Sequence, residues 1–265
     1  MTCLSFRIIN FPLLVTCWLL FLCGCISSEY NVGTQTQDIY LFSTEREVAM
    51  GRNIAKKIAQ EFEISKNPYD LKRLDEVSSK LVEFTDRTEI SYYFYVIEKD
   101  DQDKSQVNAF ALPGGYIYIF KELFDLLSDD ELAFVLSHEM SHIVSRHSIK
   151  RLQALMGYNL LVVASAGTRQ DAQFTQGLSF ALAQILMGYS REDELNADEL
   201  AVKYCKLAGF DPKAGIEVQE KLYQENKKET RPLSYFRTHP YTDQRIRRIK
   251  EMLHLPLDVD DYINY

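Results

Sequence analysis

Along this chain the spacing of apolar positions changes several times, and each change marks an element. Ile8 to Leu22 is uncharged and mostly apolar, and residues 26 to about 42 are rich in Ser, Thr, Gln and Asn. The first stretch has signal-peptide length and the second reads as a tether. Thr44-Glu45-Arg46-Glu47 is a capping-box pattern that opens a helix running toward Phe62. Asn67-Pro68 supplies a cap and a first-turn proline for a second helix, with Leu71, Leu74, Val77 and Leu81 as its buried stripe. The period then shortens. Ile90 to Ile97, Val107 to Leu112 and Tyr116 to Phe120 are rich in aromatic and β-branched residues, and Pro113-Gly114-Gly115 separates the last two as a tight turn. These segments predict a small antiparallel sheet of about three strands.

From Lys121 onward the pattern is helical. Ser128-Asp129-Asp130-Glu131 is a second capping box, followed by Leu132, Val135, Leu136 and Ile143 at helical intervals. Tyr158 to Gly167 and Leu178 to Met187 are strongly apolar but shorter than a membrane span. They are expected to form a helical hairpin over the core, with a lid or a lipid- or substrate-contacting surface as the other reading. The fold class expected is α+β, predominantly helical, in three parts: residues 1–24 a leader, 25–43 a tether and 44–265 one globular domain.

The long helix carries the chemistry. His138-Glu139-Met140-Ser141-His142 is an HExxH element. At about 100° per residue, His142 lies only about 40° around the helix from His138, so both imidazoles reach one ion from one face. Neutral imidazoles suit Zn²⁺, and a carboxylate beside them can take a proton from water, which is what amide hydrolysis needs. Burying two His and a Glu in an apolar helix is costly unless a metal compensates.

Charge narrows the partners. The net charge is −8, and the one basic cluster, Arg245 to Lys250, is accounted for by a solvated helix face, so no nucleic-acid partner is expected. Arg7 is the only charged residue before Glu29, and Leu22-Cys23-Gly24-Cys25 resembles a bacterial lipobox with Cys25 as the lipidated residue. An uncleaved anchor helix is the alternative. Either reading exports the rest of the chain and attaches it to a membrane through its N-terminus. Cys205 is left alone in the domain, which excludes an internal disulfide there.

A catalytic zinc site takes three protein ligands and keeps a position open. The metzincin extension is absent, because Ser145 and Ser148 stand where its Gly and third His belong. His147 lies about 140° around the helix from His142 and points away from the metal, as a surface or supporting residue. The acidic run Glu192 to Glu199 offers carboxylates. Glu194 and Asp198 share a helix face, so one can bind a metal while the other orients a liganding imidazole, but spacing leaves Glu192 and Glu199 open.

Taken in order, Val107 to Gly115, HExxH with Arg146-His147 after it, Glu194 to Asp198 as ExxxAD, and Thr238-His239-Pro240 with Arg245 beyond resemble the M48 family of zinc metallopeptidases. The resemblance runs from about residue 44 to 253 and implies a zincin-like, gluzincin domain. It implies one Zn²⁺ per chain on His138, His142 and Glu194, with Glu139 as general base and Asp198 supporting a liganding His. Asn108 and Ala109 match the edge strand to which substrate backbone adds. His239 matches a residue that supports the oxyanion or closes the open position, and Arg245 is a further candidate for oxyanion support. The short, lipid-anchored members are nearest in architecture. The implied activity is endoproteolysis of unfolded or misassembled envelope proteins. The expected location is the periplasmic face, with outer-membrane attachment favoured in a two-membrane cell. A zinc-stabilised chaperone or assembly factor with latent protease activity is the competing reading. A purely structural zinc site is disfavoured by its carboxylate and adjacent base.

Overall fold

The computed structural model describes residues 27–98, 107–155, 188–228, 233–240 and 243–257. The leader, Cys25 and both apolar segments between 156 and 187 lie outside these residues, as do residues 99–106.

The element order is β1 Ser27–Asn31, β2 Thr36–Tyr40, α1 Thr44–Glu61, β3 Glu63–Ile64, α2 Pro68–Val82, β4 Tyr93–Glu98, β5 Ala109–Leu112 and β6 Tyr116–Phe120. It continues with α3 Lys121–Leu126, α4 Asp129–Val144, α5 Arg191–Ala208, α6 Ala214–Lys228, α7 Ser234–Thr238 and α8 Asp243–Met252. The fold is α+β and predominantly helical, as expected. The small sheet has the order β3-β4-β6-β5. Two of its features go beyond the sequence reading: the short strand β3, and parallel pairing of β4 with β6 beside the antiparallel pairs β3–β4 and β5–β6.

Alternation along the strands sorts side chains into two cores. Ala109, Ala111, Ile117 and Ile119 face the helical layer that contains α4. Phe110, Leu112, Tyr118 and Phe120 face the opposite way, onto Ile54 and Ile58 of α1. The two alanines keep the α4 side of edge strand β5 shallow, so α4 packs close to it.

The central helix is α4, buried continuously from Glu131 to Val144. Its N-terminus is the expected capping box, with Ser128 Oγ accepting from Glu131 N and the Glu131 carboxylate accepting from Ser128 N. The other expected box is corrected. Ser43 caps α1, and Glu47 turns inward instead of back toward Thr44. Its carboxylate takes two bonds from Arg87 at 2.7 and 2.9 Å and lies 2.9 Å from Arg146 Nε. Asn67 caps α2 with Pro68 behind it, as predicted. Gly115 is required in its turn: at φ 102° a Cβ would sit 2.0 Å from the Ser91 carbonyl oxygen.

The tether expectation is also corrected, because residues 27–40 form an antiparallel hairpin docked on the end of α4. Asn31 Nδ2 donates to the Ser145 carbonyl at 2.8 Å, and Asn196 of α5 donates to the Gly33 carbonyl at 3.1 Å. Arg146 binds Glu29 and the Phe42 carbonyl, and its guanidinium stacks 3.7 Å from the centre of the Tyr40 ring. These contacts hold Arg146 at φ 54°, a left-handed conformation that a non-glycine residue adopts only when its surroundings demand it. Among the described residues, no helix is long and apolar enough to cross a membrane.

Candidate active site

Two helices and one short segment bring the predicted residues together. α4 presents His138, Glu139 and His142, and α5 presents Glu194 and Asp198. His239 follows α7 directly. All six are buried. One ligand atom from each of His138, His142, Glu194 and His239 lies within 4.8 Å of the other three. Glu192 is exposed and Glu199 pairs with Arg248, so the α5 carboxylate facing the imidazoles is Glu194.

The distances test whether a metal fits. Zinc bound at about 2.0–2.1 Å in a tetrahedron requires ligand atoms about 3.3–3.4 Å apart. His138 Nε2 stands 3.1 Å from His142 Nε2, 3.3 Å from His239 Nδ1 and 3.4 Å from Glu194 Oε2. Glu194 Oε1 stands 3.5 Å from His142 Nε2 and 3.1 Å from His239 Nδ1. Several acceptor lone pairs facing one another at these separations are unfavourable without a proton or cation between them, and the spacing is that of zinc ligands. The set has four protein donors, with His239 in the fourth place.

Supporting contacts fix the rings. Asp198 Oδ1 accepts from His138 Nδ1 at 2.9 Å, which leaves Nε2 free for a metal. Arg245 grips Asp198 with Nε at 2.6 Å and Nη2 at 2.7 Å, and its Nη1 lies 2.9 Å from Glu194 Oε2. The Arg245 fork thus orients Asp198 directly and sets its charge beside Glu194. Glu139 stands outside the ligand cluster, its Oε1 3.1 Å from His239 Nε2.

His147 is not where the helical projection puts it. α4 ends at Val144 and the chain turns through left-handed Arg146, so the projected angle no longer applies. His147 folds back into the interior with Nδ1 2.9 Å from His142 Nδ1 and Nε2 3.3 Å from Asp193 Oδ1. Asp193, His147 and His142 line up as a chain: His142 Nδ1 pairs with His147 Nδ1, which directs His142 Nε2 toward the metal site, and Asp193 stands beside the far ring nitrogen of His147. Substituting His147 by Leu is expected to weaken zinc binding roughly 10- to 100-fold, with His147→Asn recovering part of the loss. Competition titration with a chelator measures both, and equal affinities for the His147→Leu variant and wild type would remove His147 from the chain. Tyr189 also escaped sequence reasoning. Its ring stacks on His142 with centroids 3.7 Å apart, and its hydroxyl meets Ser148 Oγ at 2.9 Å, a contact with no periodic pattern to betray it.

Local charge favours a cation. Burial would lower the His239 pKa, but the Glu194 and Glu139 carboxylates outweigh it and push it up to about 10. Burial likewise opposes ionisation of Glu194, yet His239 and Arg245 hold its carboxyl well below the usual range. Burial, with His138 beside it, keeps His142 neutral, the form that ligates. The remaining thiol of the domain, Cys205, is buried against Ser137 on α4, and burial pushes its pKa up to about 12.

Comparison with known proteins agrees with this geometry. The chain is 26% identical over 219 residues to the beta-barrel assembly-enhancing protease of Yersinia pestis, covering 77% of this chain and 43% of that protein. It is 28% identical over 193 residues to the metalloprotease LoiP of Escherichia coli, covering 69% and 70% of the two chains. It is 33% identical over 149 residues to the mitochondrial metalloendopeptidase OMA1 of Schizosaccharomyces pombe, covering 55% and 43%. The chain therefore spans less than half the length of two of these relatives. The profile of peptidase family M48 matches residues 68–253, which contain every residue of the cluster, and this chain belongs to that family.

Proposed function

We propose that the protein is a zinc-dependent metalloendopeptidase, attached to the cell envelope by its N-terminus and acting on unfolded or misassembled envelope proteins. The observation that carries this reading is the buried cluster of His138, His142, Glu194 and His239 with Glu139 beside it. The names of the Yersinia pestis and Escherichia coli relatives support proteolysis, and the former supports substrates connected with beta-barrel assembly. Lipidation at Cys25, a periplasmic-face location and outer-membrane attachment belong to the same proposal and rest on the leader sequence.

Zinc, when bound, supplies Lewis acidity that polarises a scissile carbonyl and makes water easier to deprotonate. The protein's residues do the rest. His138, His142 and Glu194 hold the metal, and Asp198 and His147 fix the two ring tautomers. Glu139 takes the proton of the attacking water and returns it to the leaving amine.

His239 and α7 support a closed, latent state. His239 Nδ1, 3.3 Å from His138 Nε2 and 3.1 Å from Glu194 Oε1, would be a fourth ligand to a metal held by His138, His142 and Glu194. The segment before it covers the start of edge strand β5: Tyr235 N and Ser234 Oγ both donate to the Val107 carbonyl, and Thr238 Oγ1 donates to Asn108 Oδ1. Asn108 and Ala109 are consequently buried, and a peptide adding along β5 must first displace α7. A fourth ligand worth about 1.4 kcal/mol keeps about nine molecules in ten closed, so His239→Ala is expected to raise cleavage of an unfolded protein roughly tenfold. Initial rates on a denatured reporter protein measure it. A fall in rate would instead assign His239 to the oxyanion and reject the latent state.

A further inference from the structure

The β1–β2 hairpin has two chemically different faces. Glu29, Asn31, Asp38 and Tyr40 point inward. They fasten the hairpin to Ser145 and Arg146 at the end of α4 and, through Asp38, to Lys150. The register pairs Ser28 with Ile39 and Tyr30 with Gln37, so these four side chains stand on the opposite face, and Leu41 continues their phase. Tyr30, Ile39 and Leu41 are 56%, 63% and 39% exposed. None of the five outward residues is charged, in a chain where 26% of residues are. Tyr30, Ile39 and Leu41 also account for three of the eight large hydrophobic residues exposed among the described residues.

The chain that leads into the hairpin identifies what this face meets. Ile8 to Leu22 is uncharged and mostly apolar, and only Ile26 separates Cys25 from the first residue of β1. Two residues of extended chain reach at most about 7 Å, so β1 starts within that distance of Cys25. Whether attachment is by acyl chains on Cys25 or by the apolar stretch itself, the hairpin is leashed to the bilayer surface. We infer that the outward face of the hairpin, with Tyr30, Ile39 and Leu41, rests in the interfacial region of the lipid bilayer. This rests on the membrane-attached reading proposed above.

The chemistry is consistent at each point. A tyrosine ring with its hydroxyl toward water suits the headgroup level, and two aliphatic side chains beside it add apolar area. The face has no lysine or arginine and the chain carries net charge −8, so contact is apolar and insensitive to salt. The consequence for function is geometric. Because the inward face is bonded to the two residues that follow α4, the depth of the hairpin in the interface sets the height of the metal cluster above the membrane. The substrates reached are polypeptide segments held close to the lipid surface.

Tryptophan placement tests this. The chain has one tryptophan, Trp18, which is replaced by Phe. A single tryptophan is then introduced as Tyr30→Trp, Ile39→Trp or, as a control on the 84% exposed site in α2, Tyr69→Trp. The full chain is reconstituted in phosphatidylcholine vesicles with or without brominated acyl chains. The expected result is blue-shifted emission and loss of most of the fluorescence to bromine at positions 30 and 39 in low and high salt, with neither at 69. Chain that floats with vesicles but shows equal quenching at all three positions overturns the inference and leaves attachment standing. The same holds if the emission at 30 and 39 is blue-shifted but unquenched, which assigns the face to a protein surface. Chain that does not float overturns attachment and the inference together.

Discussion

Replacing Glu139 by Gln is expected to reduce peptide cleavage by roughly 10²- to 10⁴-fold while leaving zinc content unchanged. The two outcomes separate because the residue has one role and not the other. Glu139 is fully buried next to His239 Nε2 but contributes no atom to the cluster of His138, His142, Glu194 and His239. Glutamine keeps the shape of the side chain and cannot accept the proton. Single-turnover cleavage of an unfolded protein and elemental analysis of the same preparation make the measurement. Wild-type cleavage by the variant would mean that another group is the base. The variant also separates the protease from the assembly-factor reading, since a chaperone role survives the loss of the base.

The largest stability effect is expected away from the metal. Glu47 joins Arg87 and Arg146 in the interior and also accepts from Gly114 N at 3.3 Å in the turn between β5 and β6. Substituting Glu47 by Ala strands two guanidinium groups that are only 2% and 6% exposed. Burial works against charge on Arg87, but Glu47 more than offsets it and holds the group protonated, so it does not escape by neutralising. Removing one partner of such a buried pair costs about 3–5 kcal/mol, a large share of the 5–15 kcal/mol typical of a domain. Chemical denaturation of the metal-free protein, with the midpoint falling and the slope unchanged, is the measurement. A shift worth less than about 1 kcal/mol would mean that Glu89 and Glu29 suffice for the two arginines.

What the sequence discloses follows from which forces write periodic patterns. α4 is legible because its caps and apolar spacing are both local, and His138, Glu139 and His142 come with it. Glu194 needs the resemblance, since spacing leaves neighbouring carboxylates equivalent until folding turns Glu199 toward Arg248. The hairpin is illegible because its buried face is polar: Asn31, Asp38 and Glu29 are satisfied by partners more than a hundred residues away or across the turn, so no apolar alternation marks them. His147 is misplaced by a helical projection because the projection assumes that the helix continues, and left-handed Arg146 breaks it before His147 is reached. Parallel pairing of β4 with β6 follows from the path between them, which composition does not record.

The buried Cys205 thiol has a use beyond packing. It lies at the seam between the two helices that carry His138 and Glu194, one residue from His138 through its contact with Ser137. A thiol reagent reaches it only when that seam parts, so its alkylation rate is a built-in clock for the breathing of the two halves of the metal cradle.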